Sequence, residues 1–419
     1  MPSRTTLLLS TVGALAGAAL LSHAGPLNPP AGPVASSYKT LSEVEPRTAI
    51  NSTNTPGTST ATFRITQPGS YYLTAGLTGV AGQAGIEIAA SDVSLDLCGF
   101  RLQGVAGSLA GIAITGSQSG ITIRNGTVRG FAGGGIVGSS ASACTLEDLR
   151  CLGNTGNGIQ VFTESAIRRC DCSSNTGNGI LASIPAIVES CIARNNGQTG
   201  ITAGDHSNIA NCIAVGNTGT GLSLGPGVIL HSTVAAQNSV GVSAGSGLNA
   251  VDCIARNNAS HGFFVFGASF TSCLATANGG DGFNTDSAVL ANCRSTSNTG
   301  NGFNLGSNSF LVHSTAISNN LFGAHLNSGY VLRNSFAQNS LNQSELREVK
   351  FDTRGRADGN HLNSFNSSEW GLGGPSGALF ILNSQNGGFV TTFGGTEGPD
   401  IDATSITTSN SPHGNYDLP

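Results

Sequence analysis

Two small groups of polar residues in the sequence could perform acid–base chemistry. One is the adjacent pair Asp205 and His206, and the other is Asp281 with Asp286 five residues later. A carboxylate beside an imidazole can transfer protons, and two suitably separated carboxylates can hydrolyse a glycosidic bond. The same residue types also cap turns, and the two groups lie several repeats apart. Turn capping is therefore the favoured interpretation of these four residues, and catalysis is the alternative for which they are the candidates.

Regularly spaced cysteines raise the question of metal sites and disulfides. The regularly spaced members are Cys170, Cys191, Cys212, Cys253, Cys273 and Cys293. Other repeats carry Leu, Thr, Ser or Asn at the same station, as is typical of a small buried position. Stacked columns do not converge on a tetrahedral point, so we predict neither a metal nor a cofactor. Free buried thiols and inter-rung disulfides both remain open, because stacked Cα atoms would lie roughly 4.8 Å apart.

Asparagine occurs five residues after each of these stations, with a period of 20 or 21 residues. The asparagines are Asn154, Asn175, Asn196, Asn217, Asn238, Asn258, Asn278, Asn298 and Asn319, and the same spacing reaches Asn339. A fixed period of this length indicates a repeat architecture. We expect the asparagines to lie at turns, where they tolerate unusual backbone angles and hydrogen-bond to neighbouring repeats. The cysteines and asparagines thus predict structural ladders.

The elements that position these ladders are short strands. Each period holds apolar pieces such as residues 186–188, separated by clusters of Gly, Asn, Ser and Thr. Two or three strands per period make one rung of an all-β solenoid, and residues 85–339 hold about twelve rungs. The residue after the repeating glycine changes from Ile159 in early rungs to Phe263, Phe283 and Phe303 in later ones. This column should face the core and stack its aromatic rings.

This pattern resembles the right-handed parallel β-helix repeat family, the pectin-lyase-like fold, as found in exported bacterial proteins without an assigned activity. The resemblance implies a single-stranded right-handed parallel β-helix with terminal caps. Family enzymes act on polysaccharides, and a calcium-dependent lyase of this fold needs clustered carboxylates and a basic residue. The carboxylates in the rungs are isolated here. Asn284-Thr285-Asp286 matches the first polygalacturonase motif, but no Asp-Asp, Gly-His-Gly or Arg-Ile-Lys follows.

The sequence also predicts how the chain is divided. Residues 1–24 have the basic start, apolar segment and small-x-small end of a signal peptide, with an uncleaved membrane anchor as the alternative. We expect residues 25–84 to be a leader and N-terminal cap, residues 85–343 the β-helix, and residues 344–419 a C-terminal cap and polar tail. A secreted, periplasmic or cell-surface protein is the expectation, with no membrane span once the signal is removed.

Composition narrows the possible partners. Only 10% of residues are charged, the net charge is −5, and the basic residues are dispersed, which disfavours nucleic acid. The rung surface of Ser, Thr, Asn and Gly favours a non-catalytic structural or glycan-contacting surface protein, expected to be monomeric. The alternative is a polysaccharide lyase, hydrolase or epimerase. Its catalytic groups would then lie in the irregular early rungs, around Asp92, Asp96 and Arg101.

Overall fold

The computed structural model describes residues 45–339 and 348–363, and the strand segments 371–373, 379–381, 384–386, 391–393, 396–397, 400–401 and 415–418. The chain divides into two compact units, Met1–Pro46 and Arg47–Pro419. The predicted signal peptide, most of the predicted leader and most of the C-terminal tail lie outside the described residues. All strands of the described residues belong to the second unit.

Short parallel strands repeat in an order of three, so each turn of the chain has three faces. Face 1 is a sheet of 16 strands among the described residues. Its strands are Ala61–Ile65, Ala84–Ile88, Ala110–Ile114, Gly134–Gly138, Ile159–Val161, Ile180–Ala182, Ile201–Ala203, Leu222–Leu224, Val242–Ala244, Phe263–Phe266, Phe283–Asp286, Phe303–Leu305, Ala324–Leu326, Val349–Phe351, Gly371–Gly373 and Thr391–Phe393. Each strand pairs in parallel with the equivalent strand one turn later, as Ile180 pairs with Ile201.

Faces 2 and 3 belong to one sheet of 32 described strands, because Thr122–Arg129 and Thr145–Leu152 run through both faces. The other strands of face 2 are Thr48–Ala49, Gly69–Tyr72, Val93–Asp96, Ser165–Arg168, Ala186–Glu189, Asn208–Ala210, Ile229–His231, Leu248–Val251, Ala268–Thr271, Val289–Ala291, Ser309–Val312, Gly329–Leu332, Gly355–Asp358, Leu379–Ile381 and Thr396–Glu397. The other strands of face 3 are Leu77–Thr78, Arg101–Gln103, Asp171–Ser173, Ile192–Arg194, Ile213–Val215, Val234–Ala236, Ile254–Arg256, Leu274–Thr276, Arg294–Thr296, Thr315–Ile317, Ser335–Ala337, His361–Asn363, Ser384–Asn386 and Asn415–Leu418, with Asp400–Ile401 beside the last.

These strands build a parallel β-solenoid of about 14 turns with a period of about 21 residues, close to the predicted twelve rungs. Parallel pairing already joins Ala61–Ile65 to Ala84–Ile88, so the stacking is present before Gly85. Among the described residues, no helix has the length and apolar character needed to span a bilayer.

The core is a set of inward columns. Phe263, Phe283 and Phe303 are fully buried on face 1. Their ring centroids lie 4.9 and 5.1 Å apart, with nearly parallel planes, which confirms the predicted aromatic stack. Because the strand spacing is close to the centroid separation of offset-stacked rings, one aromatic residue per turn can stack on the next.

A buried column of asparagine amides follows face 3. The side chain of Asn217 donates from Nδ2 to Asn238 Oδ1 and to the carbonyl oxygen of Ala193, both at 3.0 Å. Its Oδ1 accepts the backbone N–H and the Nδ2 of Asn196, at 3.1 and 2.9 Å. Each amide therefore joins three successive turns and has its hydrogen bonds satisfied inside the protein.

The unusual backbone angle does not belong to these asparagines, contrary to our expectation. It belongs to the residue before each, such as Ser174 (φ 58°), Asn195 (φ 53°) and Gln237 (φ 56°). The left-handed residue bends the chain at the end of the face-3 strand, and the asparagine that follows it is buried.

The cysteine column lies at the junction of faces 2 and 3. Cys191 Sγ donates to the carbonyl oxygens of Ile167 and Glu189, at 3.5 and 3.3 Å. At the equivalent station, Ser314 Oγ donates to the carbonyl oxygen of Val312 at 3.0 Å. All ten cysteines carry free thiols, and nine of them are buried. A small side chain with one weak donor therefore suits this station.

Candidate functional site

The outward surface of face 1 changes character along the solenoid. The middle residue of each three-residue strand points outward, and in the early turns this column contains Gln160, Leu181, Thr202, Ser223 and Ser243. In the later turns the same column continues, in register, as Phe264, Asn284, Asn304, His325 and Lys350. We call this later column, with His261, Asp281, Phe322 and Asp352 beside it, the face-1 patch. It concentrates side chains that recognise polar ligands.

Asp281 anchors the patch. Its side chain is only 9% exposed, and its Oδ1 accepts the backbone N–H and the Nδ2 of Asn301, at 2.7 and 3.1 Å. Its Oδ2 accepts the Nδ2 groups of Asn284 and Asn304, both at 3.0 Å. Both amides are thereby turned so that their carbonyl oxygens point away from the carboxylate. Within the described part of the chain, no donor is bonded to either oxygen, so both are available to a ligand.

His261 lies on the other side of Asp281. Its Nδ1 accepts the backbone N–H of Asp281 at 3.1 Å and lies 3.5 Å from Asp281 Oδ2. In the neutral ring the proton is therefore on Nε2, which is left as a donor. The ring stacks on Phe264 with centroids 5.6 Å apart and planes 19° apart. His261 and Phe264 thus form a flat, partly exposed surface beside the two asparagine oxygens.

The far end of the patch carries charge. His325 Nε2 is 2.9 Å from Asp352 Oδ2, and Lys350 Nζ is 3.5 Å from Asp352 Oδ1. Burial raises the pKa of the Asp352 carboxyl, but the hydrogen bond to His325 and the charges of His325 and Lys350 outweigh it, and the pKa lies below its ordinary value. The Lys350 ammonium also lies 5.4 Å from the centre of the Phe322 ring, a cation–π contact.

The four sequence candidates do not form one site. Asp205 and His206 lie in the turn between Ile201–Ala203 and Asn208–Ala210, four turns before Asp281. His206 has a left-handed backbone (φ 56°) and lines a separate hollow of about 200 Å³ with Pro185, Ile187 and Asn208. Both residues of this pair therefore lie in a turn that is separate from the face-1 patch.

Asp281 and Asp286 lie at opposite ends of one face-1 strand. Asp281 precedes Phe283–Asp286, whereas Asp286 ends it, is exposed and pairs in register with Phe266. With four N–H donors on its oxygens, Asp281 orients neighbouring amides and has no lone pair aimed at a substrate proton. Among the described residues, no three His, Cys, Asp or Glu side chains converge in a way that could hold a metal ion.

Sequence reasoning missed His261, Asn304, His325 and Lys350. A usable signal was present, because each of the last three stands one residue after an inward residue of the face-1 column. The outward residues of the face-1 strands change from Ser243 to Phe264 and Asn284, and this change is visible in the sequence.

The match to a known protein family agrees with this architecture. Residues 79–227 match the family model described as right handed beta helix region. The fold of the described residues is a right-handed parallel β-helix. The matched residues of this β-helix end before the turns that carry the face-1 patch.

Solved structures with a similar fold are distant in sequence. The A-module of the Azotobacter vinelandii mannuronan C-5 epimerase AlgE4 is 14% identical, with 79% of this β-helix chain and 90% of that chain covered and a TM-score of 0.41. The Dettilon tailspike protein is 12% identical (86% and 60% covered, TM-score 0.36). The periplasmic alginate epimerase AlgG is 9% identical (83% and 80% covered, TM-score 0.29). No curated protein matches the sequence. These values are too low to transfer an activity to the β-helix.

Proposed function

We propose that this β-helix is a non-catalytic protein that contacts glycans through the face-1 patch. The observation that carries the proposal is the pair Asn284 and Asn304, held by Asp281 with both carbonyl oxygens free beside Phe264. Sites for polar ligands combine apolar and aromatic surface with a few fixed hydrogen-bonding groups. Sugar rings offer hydroxyl donors at their edges and C–H groups on their faces. The patch has acceptors for the sugar hydroxyls and an aromatic ring for the C–H groups of the sugar face.

The regular spacing of the turns favours a polysaccharide over a single sugar as the ligand. Phe264, Asn284, Asn304, His325 and Lys350 succeed one another at the strand spacing of roughly 4.8 Å. One sugar residue of an extended polysaccharide is about as long as this spacing. A chain lying along the column would therefore meet a new side chain at each residue.

The carboxylates of the patch support binding without turnover. The oxygens of Asp281 already accept four N–H groups. Asp352 is engaged with His325 and Lys350. A glycosidase needs one carboxylic acid and a second carboxylate that both face the scissile bond. Asp281 offers no free oxygen for that task, and the Asp352 carboxylate is shared between His325 and Lys350.

An extracellular or periplasmic role belongs to the same proposal. Its support is the sequence of residues 1–24, which has the charge and apolar pattern of an export signal. Export would bring the patch into contact with cell-surface or environmental polysaccharides.

Affinity electrophoresis of the protein against xylan, mannan, dextran and polygalacturonate tests the proposal. We expect retardation by at least one polymer, weakened about tenfold in a Phe264→Ala, Asn304→Ala double variant. A Leu181→Ala, Thr202→Ala variant is the matched control, because it truncates the same outward station in earlier turns. Thermal unfolding of each variant separates lost binding from lost folding.

Two results would contradict the proposal. One is equal polysaccharide binding by the wild type and the patch variant, which would show that the binding site lies elsewhere on the molecule. The other is release of reducing ends or unsaturated sugars by the wild type, abolished by one carboxylate substitution, which would make the protein an enzyme. Signal-sequence fusion to a reporter tests export independently.

A further inference from the structure

A second surface of the β-helix, remote from the face-1 patch, brings three arginines together. It is an open groove of about 600 Å³ on face 3 of the early turns. Arg101, Arg129 and Arg150 line it, together with Phe100, Thr78 and Thr127. We call it the arginine groove.

The register of face 3 explains this grouping. Arg101 pairs with Thr127, and Thr127 pairs with Arg150, so the two arginines occupy one outward column two turns apart. Arg129 lies in the intervening turn, in the neighbouring outward column. At the spacing of parallel strands, Arg101 and Arg150 are roughly 10 Å apart along the solenoid. All three side chains are exposed.

The groove is not neutralised from within the described part of the protein. Among the described residues, no carboxylate lies within 4.0 Å of Arg101 or Arg129, and Arg150 reaches only Asp171, at 4.0 Å. Other arginines of the early turns are paired more closely. Arg169 lies 2.7 Å from Asp148, and Arg194 lies 3.2 Å from Asp171. In a chain with few charged residues, three adjacent cations without close partners are a feature to explain.

We propose that the arginine groove binds an acidic glycan, a linear polymer that carries carboxylate or sulfate groups. Guanidinium groups pair with both anions through two parallel N–H bonds. Phe100 supplies an apolar wall for a sugar face, and the hydroxyls of Thr78 and Thr127 can bind ring substituents. Since a sugar residue is about as long as one turn is high, successive anionic residues would reach Arg101, Arg129 and Arg150 in order.

A nucleic acid fits the surroundings less well. Glu147 lies in the same strand as Arg150, Asp171 lies on the next turn, and the net charge of the whole chain is −5. Three arginines on three successive turns do not extend into the long basic stripe that a nucleic acid backbone needs. The proposal does not rest on the function proposed for the face-1 patch, because the two surfaces are separate.

The test uses isothermal titration of the full chain with polygalacturonate and with its fully methyl-esterified form. The ester keeps the sugar backbone and removes the charge. We expect binding to polygalacturonate only, weakened about tenfold or more by an Arg101→Ala, Arg129→Ala double variant. The matched control is Arg256→Ala, Arg294→Ala, which removes the same charge from the same two outward columns of face 3 in later turns.

Each outcome decides the matter. Equal weakening by the control pair would show that only net charge counts and would overturn the proposal. Equal affinity for single-stranded DNA would overturn it in favour of a nucleic acid site, and binding of the ester would refute a role for charge. Phe264→Ala could abolish polygalacturonate binding while the arginine variant leaves it intact. That result would place the polymer at the face-1 patch. The reverse pattern would uphold the arginine groove even if the face-1 patch binds nothing.

Discussion

The Glu348 carboxylate accepts hydrogen bonds from both the backbone N–H and the Nδ2 of Asn339, at 3.3 and 2.7 Å. At every earlier turn the equivalent acceptor is the amide oxygen of the next asparagine, as Asn339 is for Asn319. The asparagine column therefore ends on an ionisable group, and that group is only 4% exposed. Protonation of the Glu348 carboxyl is therefore coupled to folding.

Stability should consequently depend on pH through Glu348. Burial raises its pKa from 4.5 to about 7, despite the two hydrogen bonds from Asn339. Between about 4.5 and about 7 the folded chain binds more protons than the unfolded chain, so this group makes stability fall as pH rises through that window and level off above it. The loss is about 3 kcal/mol. The Glu348→Gln substitution should remove this loss of stability at high pH and leave the variant more stable than the wild type at pH 8.

Urea unfolding of both proteins from pH 4.5 to 8.5 measures this difference. Subtracting the two pH profiles cancels the contributions of carboxyls whose pKa is lowered, such as Asp148 and Asp352. Parallel profiles would show that Glu348 has an ordinary pKa in the folded protein.

Removing one amide from the middle of the column should be costly. Asn217→Ala leaves the backbone N–H of Asn196 and the carbonyl oxygen of Ala193 without their partners inside the core. Each such loss costs about 1–3 kcal/mol, so we expect the free energy of unfolding to fall by about 3 kcal/mol. Asn249→Ala, on the exposed side of face 2, is the control and should change it by less than about 0.5 kcal/mol. A loss below about 1 kcal/mol for Asn217→Ala would contradict a structural role of the column.

The two aspartates that flank one face-1 strand should behave differently. Asp281→Ala removes the acceptor of four N–H groups, and we expect a loss of about 2–4 kcal/mol together with weaker glycan binding. Asp286→Ala, at the exposed end of the same strand, should be near neutral in both measurements. Chemical denaturation and affinity electrophoresis of the pair decide this, and equal effects would refute the anchoring role.

The cysteines should resist modification while the protein is folded. Nine are buried, which keeps a reagent away from their sulfur atoms. At Cys144, burial also raises the pKa to about 11, so this thiol has almost no thiolate at neutral pH. Alkylation with subsequent mass measurement should label at most Cys98 in the native protein and all ten cysteines after denaturation. Protection of cysteines from alkylation in denaturant, reversed by a reductant, would instead reveal inter-rung disulfides.

The inward columns could be predicted because strand side chains alternate and each turn repeats the last. Cys191, Asn217 and Phe283 recur at one period, and a fixed period places equal stations above one another whatever the exact turn geometry. That reasoning yielded the fold class, the approximate number of turns and the aromatic stack. It could not show that the left-handed residue precedes each asparagine, because only the traced backbone separates two neighbouring turn positions.

The outward surface depended on tertiary structure. Asp281 takes its hydrogen bonds from Asn284 in its own turn and from Asn301 and Asn304 in the next, a set that no sequence spacing marks. Arg101, Arg129 and Arg150 meet because the irregular early turns stack in a register that their unequal lengths conceal. Glu348 ends the asparagine column although the repeat pattern stops before it. By itself the sequence determined the periodic core, since burial repeats with the rungs, whereas pairing between turns decided which unrepeated side chains come together.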